Sequence, residues 1–413
     1  MKINLGSILL SFIFKFSIFV DLINGYFQLV KGASFPIASM LRLFIIALLI
    51  YFVFSQGKTK ETKYVIVTTI LFCLCFVYWA INNGDIDLFI EADAFIRIMY
   101  LFLLIIYMQS IYLHKSNLIE SLIVNYGFII ALCILFSFFT GIGHYSYGEN
   151  YGFGTKSFFT AGNDVSIALL FASIVGSKRL FSHFCLFTLL KYCTMCLGSI
   201  LIGTRTGIIG TCIISILSLL YYIFVFSPKK KSHILIKRVT IVSFVPIIIY
   251  ASVKVLEFIW LAFDQYAKDR FSFEVIFSAR DHLTACAQKY IDSLSGLSWL
   301  IGNGRYEYSR NVARYLHLGM TEKIAEADFH DIVGSYGYFL GLILLLPIIY
   351  MTSYSLSYFL KDKSFSSFLT LVAAMLFLYI GYSAGHCIAN VMLAPIYSFL
   401  FAMAYYKGNI LRD

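Results

Sequence analysis

Charged residues are scarce in this chain. They make up 13% of 413 residues, against about 25% in an ordinary soluble domain, too few to cover a water-facing surface. A soluble globular fold is therefore excluded. A disulfide framework is missing as well. Cys73, Cys75, Cys133, Cys185, Cys193, Cys196 and Cys212 fall in apolar runs, and Cys286 stands alone in the one long polar stretch. His282, His317 and His330 are too scattered for a metal site, so no metal and no cofactor is expected. No Walker or Rossmann context surrounds any glycine pair, so there is no ATP site. No internal repeat occurs. A cleavable leader is not expected either, because the first apolar stretch runs past Asp21 and Asn24 without a small-residue cleavage site and reads as a retained span.

What the chain has is hydrophobicity: 60% of its residues, with a mean hydropathy of +0.82. Apolar runs of about 20 residues recur, the length that crosses a hydrocarbon core of about 30 Å. Spans are predicted near 8–30, 37–55, 64–81, 95–112, 120–140, 164–175, 184–202, 206–226, 239–260, 332–355, 366–381 and 391–406. The expected fold is all-α, a polytopic integral membrane protein of about twelve transmembrane helices. Residues 1–260 would carry helices one to nine, 261–331 a helical soluble segment, and 332–413 helices ten to twelve.

The net charge of +10 reads as a topology signal rather than a nucleic-acid surface. With the first segment placed inside, one side of the membrane gathers the lysines and arginines, Lys229, Lys230 and Lys231 among them, against only Glu61, Asp362 and Asp413. The short loops on the other side set Lys31, Lys156 and Arg205 against Asp85, Asp87, Glu91, Asp93 and Glu149. By the positive-inside rule both termini are cytoplasmic and 261–331 lies outside.

Ionisable groups at membrane depth are costly and mark function or pairing. Three clusters converge on the outer side. In Gly203-Thr204-Arg205-Thr206-Gly207 a forked guanidinium stands beside backbone N–H groups, chemistry suited to pyrophosphate. An arginine snorkelling to lipid headgroups accounts for the same residues. In Ser278-Ala279-Arg280-Asp281-His282, Arg280 is a second candidate clamp, against the plain reading of a solvated helix face. The third runs from Glu322 to Asp331 into a glycine-rich span containing Tyr336 and Gly337. On a helix Glu326 and His330 would share a face, as would Asp328 and Asp331. These groups either cap the helix toward water or include a general base at lipid level. Ile301-Gly302-Asn303-Gly304 reads as a tight turn more readily than as a phosphate loop. Arg305, Arg310 and Arg314 add basic density beyond it, able to attract an anionic lipid-linked substrate. Tyr145, Tyr147 and Tyr151 either stack on sugars or form part of an interfacial aromatic belt.

Together the pieces resemble the O-antigen polymerase and ligase superfamily of bacterial membrane glycosyltransferases. The likeness rests on about twelve spans, the largest outer loop between the ninth and tenth, and Phe159–Asn163, Gly203–Gly207, Ser278–Arg280, Ile301–Gly304 and Glu326–Gly341 in that order. The resemblance implies a GT-C-like fold and transfer of a glycan from undecaprenyl pyrophosphate to a sugar hydroxyl on the periplasmic face, without a metal. It implies Arg205 and Arg280 as pyrophosphate clamps, Asn163, Arg305 and Tyr336 as substrate-binding residues, and a base among Glu326, Asp328 and His330, ranked in that order. Ligases of this kind carry His-Asn about eleven residues before a glycine. Here the residue eleven before Gly337 is Glu326, which favours the polymerase branch.

The expected function is thus polymerisation of a surface polysaccharide in the bacterial inner membrane. Its partners would be donor and acceptor undecaprenyl-pyrophosphate-linked oligosaccharides, membrane lipids, a chain-length regulator and a flippase, with no nucleic acid. The alternatives are the ligase that passes the glycan to lipid A-core, and a flippase for the lipid-linked unit.

Overall fold

The computed structural model describes residues 5–32, 37–55, 60–83, 86–146, 154–225, 273–316 and 321–410. The expected ninth span (239–260), the lysines at 229–231, Tyr147, Tyr151, His317 and the side chain of Arg280 lie outside the described residues.

The described chain is almost wholly helical, because its apolar runs are long and the bilayer leaves backbone groups no partners but each other. Helix α1 (Gly6–Lys31) contains a π-helical turn at Phe12–Phe16. It is followed by α2 (Ile37–Ser55), α3 (Lys60–Asn82) and α4 (Leu88–Thr140). Strands β1 (His144–Tyr145) and β2 (Thr155–Ser157) pair antiparallel as a small ribbon. Helices α5 (Gly162–Ser182), α6 (Leu186–Leu201) and α7 (Arg205–Phe224) come next. Three further helices follow, α8 (Phe273–Ser293), α9 (Leu297–Ile301) and α10 (Arg305–Leu316). The chain returns through α11 (Asp328–Lys361), α12 (Phe365–Ser383) and α13 (Ala394–Ile410). Among the described residues seven helices are long and apolar enough to cross a membrane, and the protein is an all-α polytopic membrane protein.

The fourth and fifth expected spans follow each other without an intervening loop, as the two halves of α4 on either side of a kink. Arg97 near the start of α4 lines the cavity described below, and Ser137 near its end bonds Ser157 of β2 just ahead of α5, at that same end of the bundle. A straight helix would separate these residues by about 60 Å at 1.5 Å per residue. The chain therefore folds back at Lys115, the single residue of α4 with non-helical dihedrals (φ −135°, ψ 15°), whose ammonium reaches Ser7 at the opposite end. The returning half packs closely on α5 and α6; a methyl group added at Gly198 would stand 2.7 Å from the Ala131 side chain.

Basic groups gather at the end away from the cavity. There Lys178 pairs with Glu120, and the carbonyl of Lys363 accepts from Tyr221. A second apolar cluster lies apart from the main core, with Cys286, Tyr290, Tyr308, Val312 and Ala325 buried together.

Candidate functional site

The site is built around the start of α11. Helix α11 begins only at Asp328, with Ala327 extended (φ −135°, ψ 107°) and Glu326 left-handed at φ 58°. Glu326 is therefore not helical and shares no helix face with His330, which corrects the expected pairing. Asp328 and Asp331 do share the first turn, but they do not point at water: they are only 8% and 6% exposed. The Asp328 carboxylate accepts N–H bonds from His386 (2.9 Å), Cys387 (2.7 Å) and Ile388 (3.0 Å), in the turn that joins α12 to α13. Asp331 accepts from the Tyr308 hydroxyl (2.8 Å) and the Ala325 N–H (3.0 Å), and stands 3.8 Å from Arg305. Both acids thus tie separate segments to α11.

Gly302-Asn303-Gly304 is a tight turn, and the bundle holds it from several sides. The Trp79 indole donates to the carbonyl of Gly302 (3.0 Å), Asn83 to that of Asn303 (2.7 Å), and the Gly304 N–H to the carbonyl of Ser335 (2.9 Å). Glu91 accepts the Tyr306 N–H at 2.7 Å. The turn seats against Gly337, where α11 breaks (φ 68°, ψ −178°). With its polar groups engaged in this way the turn positions Arg305, the first residue of α10, rather than cradling a phosphate.

A cavity of about 350 Å³ opens beside these residues. Arg305, Asp328, Asp331 and Tyr336 form one wall, Asp93 and Arg97 of α4 another, and Asp164 of α5 with His386 a third. Arg97 and Asp93 form an exposed pair at 2.8 Å. The Tyr336 hydroxyl is fully buried and has no hydrogen-bond partner among the described residues, so it is available to a ligand.

His386 is flanked by two acids. Its Nδ1 lies 3.6 Å from Asp164, and its Nε2 lies 3.9 Å from Glu326, an ion-pair distance longer than a hydrogen bond. Glu326 also takes a 2.6 Å bond from Lys323. The His386 imidazole first, and then Lys323, hold the Glu326 carboxyl down at about 2 against the effect of burial. For His386 burial opposes the charged form. The neighbouring Glu326 and the charges of Asp164 and Asp328 together outweigh it and raise the pKa above the ordinary histidine value.

Of the residues singled out from sequence, Arg305, Asp328 and Tyr336 line the cavity, and Glu326 reaches it through His386. His330 turns toward Tyr382 of α12 (ring centroids 5.9 Å apart), with its Nδ1 buried. Asn163 sits half-buried at the start of α5, next to the cavity residue Asp164. Arg205 opens α7, behind the N-cap Thr204 whose hydroxyl bonds Ser166 of α5. It stands at the cavity end but is not among the cavity-lining residues. Arg280 lies on α8. Sequence reasoning missed Arg97, Asp164 and His386. Arg97 and Asp164 carried a signal, as ionisable residues inside expected spans.

Replacing Asp328 by asparagine is expected to loosen the turn it holds. An amide offers one acceptor where three N–H groups converge, a cost of about 1–3 kcal/mol. Amide exchange at His386, Cys387 and Ile388 should quicken while the rest of α11 stays protected. Unchanged protection would show that other contacts hold the turn.

The fold and this cavity define a polytopic membrane protein with a charged chamber at one end of its helix bundle. The sequence profile of the O-antigen ligase like membrane proteins matches residues 4–270, and the chain belongs to that family. Membership supports a membrane enzyme of O-antigen or related glycan assembly. No curated protein matches the chain.

Proposed function

We propose that this protein is a surface-polysaccharide polymerase. It transfers a growing undecaprenyl-pyrophosphate-linked glycan to the sugar hydroxyl of an incoming lipid-linked repeat unit. The observation that carries the reading is the chamber itself, where arginines and carboxylates from α4, α5, α10 and α11 meet beside the soluble segment. A pyrophosphate leaving group gains charge in the transition state, and guanidinium groups fixed beforehand stabilise that charge without reorganising. Arg97 and Arg305 face the chamber, and Arg205 and Arg280 are added to the anion-holding set from the sequence pattern. The Tyr336 hydroxyl and Asn163 are assigned to the sugars. The acceptor hydroxyl is activated at the mouth of α11, where the sequence pattern offers Glu326, Asp328 and His330 and the fold adds His386. The reaction draws on the phosphoanhydride-linked donor and uses no cofactor.

In this reading the protein resides in the bacterial inner membrane with both termini in the cytoplasm, and the chamber opens to the periplasm. A chain-length regulator and a flippase are its proposed partners.

The test is a surface-polysaccharide gel of a strain lacking the gene, complemented with wild type or Arg280→Ala. Core carrying a single repeat in the empty strain, with a ladder restored by wild type and not by a well-expressed Arg280→Ala, is the expected result. Bare core without any repeat would instead indicate the ligase that the family's name describes, or a flippase.

A further inference from the structure

Two non-glycine residues at this site adopt left-handed backbone, Glu326 at φ 58° and His386 at φ 63°, and their side chains face each other. Such conformations cost about 1–3 kcal/mol each and persist where the surroundings over-determine them, typically where geometry serves chemistry. Here the surroundings do so. Asp328 grips three successive N–H groups from His386 onward. Gly385, itself at φ 63°, packs so closely on the Glu326 backbone that an added Cβ would stand 2.3 Å from its carbonyl oxygen. His386 is thereby held at the chamber wall with its side chain 30% exposed, between carboxylates from two other elements.

The competing groups are otherwise engaged. Asp328 and Asp331 each accept several hydrogen bonds from the protein, and His330 faces α12. Glu326 is bonded to Lys323 and held at about 2, a poor proton acceptor at neutral pH.

We infer that His386 is the catalytic base of the transfer, and that Glu326 and Asp164 are positioning residues that orient its imidazole; the inference rests on the polymerase reading above. In the step, the acceptor hydroxyl oxygen bonds to the anomeric carbon of the donor as the bond from that carbon to the pyrophosphate oxygen breaks. The hydroxyl proton passes to the neutral imidazole, and the lipid pyrophosphate leaves with the bonding pair. The imidazolium then returns its proton to the departing pyrophosphate or to water, so the cycle is balanced.

The groups that face His386 are Asp164 from α5, and Glu326 and Asp328 from the mouth of α11, with Lys323 beyond Glu326 and Arg97 of α4 across the chamber. A base must be neutral to act, so its activity rises as pH climbs through its pKa. The acids around His386 hold that pKa up, and removing one of their charges should move the acid limb of the rate profile to lower pH.

The experiment uses full-length protein in lipid nanodiscs and, as probe, the lipid-linked repeat units extracted from the deletion strain. His386→Ala is expected to lower the rate constant by 10²–10⁴-fold, the range for general base catalysis, with little change in KM. Added imidazole should restore part of it. Glu326→Gln should retain more activity than His386→Ala and shift the acid limb downward. A folded His386→Ala protein that polymerises normally would overturn the inference. Should His386→Ala fail to fold, the Glu326→Gln profile decides, and an unmoved acid limb overturns it. No polymer from wild type under any condition would instead sink the polymerase reading itself.

Discussion

On the proposed polymerase reading, replacing Arg305 by alanine is expected to cut polymer formation sharply and lower thermal stability together. Arg305 is mostly buried, its side chain 19% exposed, and its nearest charge is Asp331, 3.8 Å away and 8% exposed by side chain. Removing one member of a buried pair leaves the other charged without compensation and costs about 3–5 kcal/mol. Losing a positioned cation at the leaving group lowers rates by about 10²–10³-fold. The two effects can be separated. Adding Asp331→Asn removes the stranded charge, so the double variant should recover part of its unfolding temperature while transfer stays lost. Arg305→Lys keeps the charge but not the fork, and should fall between the two. Wild-type transfer from a folded Arg305→Ala protein would remove this residue from the anion-holding set.

The second large effect is expected at Gly337. Its dihedrals lie in a region that side chains other than hydrogen do not tolerate, and an added Cβ would stand 2.5 Å from the backbone nitrogen of Gly302. Neither obstacle can rotate away, because both are main chain. Gly337→Ala should therefore cost roughly 4–5 kcal/mol, the upper end for a point substitution. It should also unseat the turn at 302–304 that sets Arg305. The readouts are the yield of monodisperse protein in detergent and its melting temperature. Gly162→Ala is the control, since its methyl would meet only the Lys156 and Ile202 side chains, at 3.7 Å or more. If Gly337→Ala melted with wild type, the seam between the turn and α11 would be dispensable.

The spans were legible in sequence because a bilayer demands long apolar runs and punishes anything else. Gly162–Ser182, Leu186–Leu201 and Phe365–Ser383 fall where hydropathy put them. The reversal between the fourth and fifth spans was legible too; its tightness was not, since a polar gap at 113–119 reads as a loop whether seven residues or one leave the helix. At the site, the cluster of acids from Glu326 to Asp331 stood out by composition. What they hold did not, because Asp328 binds main-chain N–H groups about sixty positions away, and every residue but proline offers one. His386 was invisible for the same reason: its place is set by its own N–H on Asp328 and by Gly385 packed on the Glu326 backbone. Arg97 was passed over inside its span, although a charge among apolar residues is itself a signal.

The fold-back of α4 also fixes a phase. With one residue out of register between the two halves, there is no slack in which chain length could vary. Any residue inserted between Arg97 and Ala131 would turn one half against the other by about 100°. The direction in which Arg97 faces the chamber is thus geared to the close packing of Ala131 on Gly198, half a bundle away.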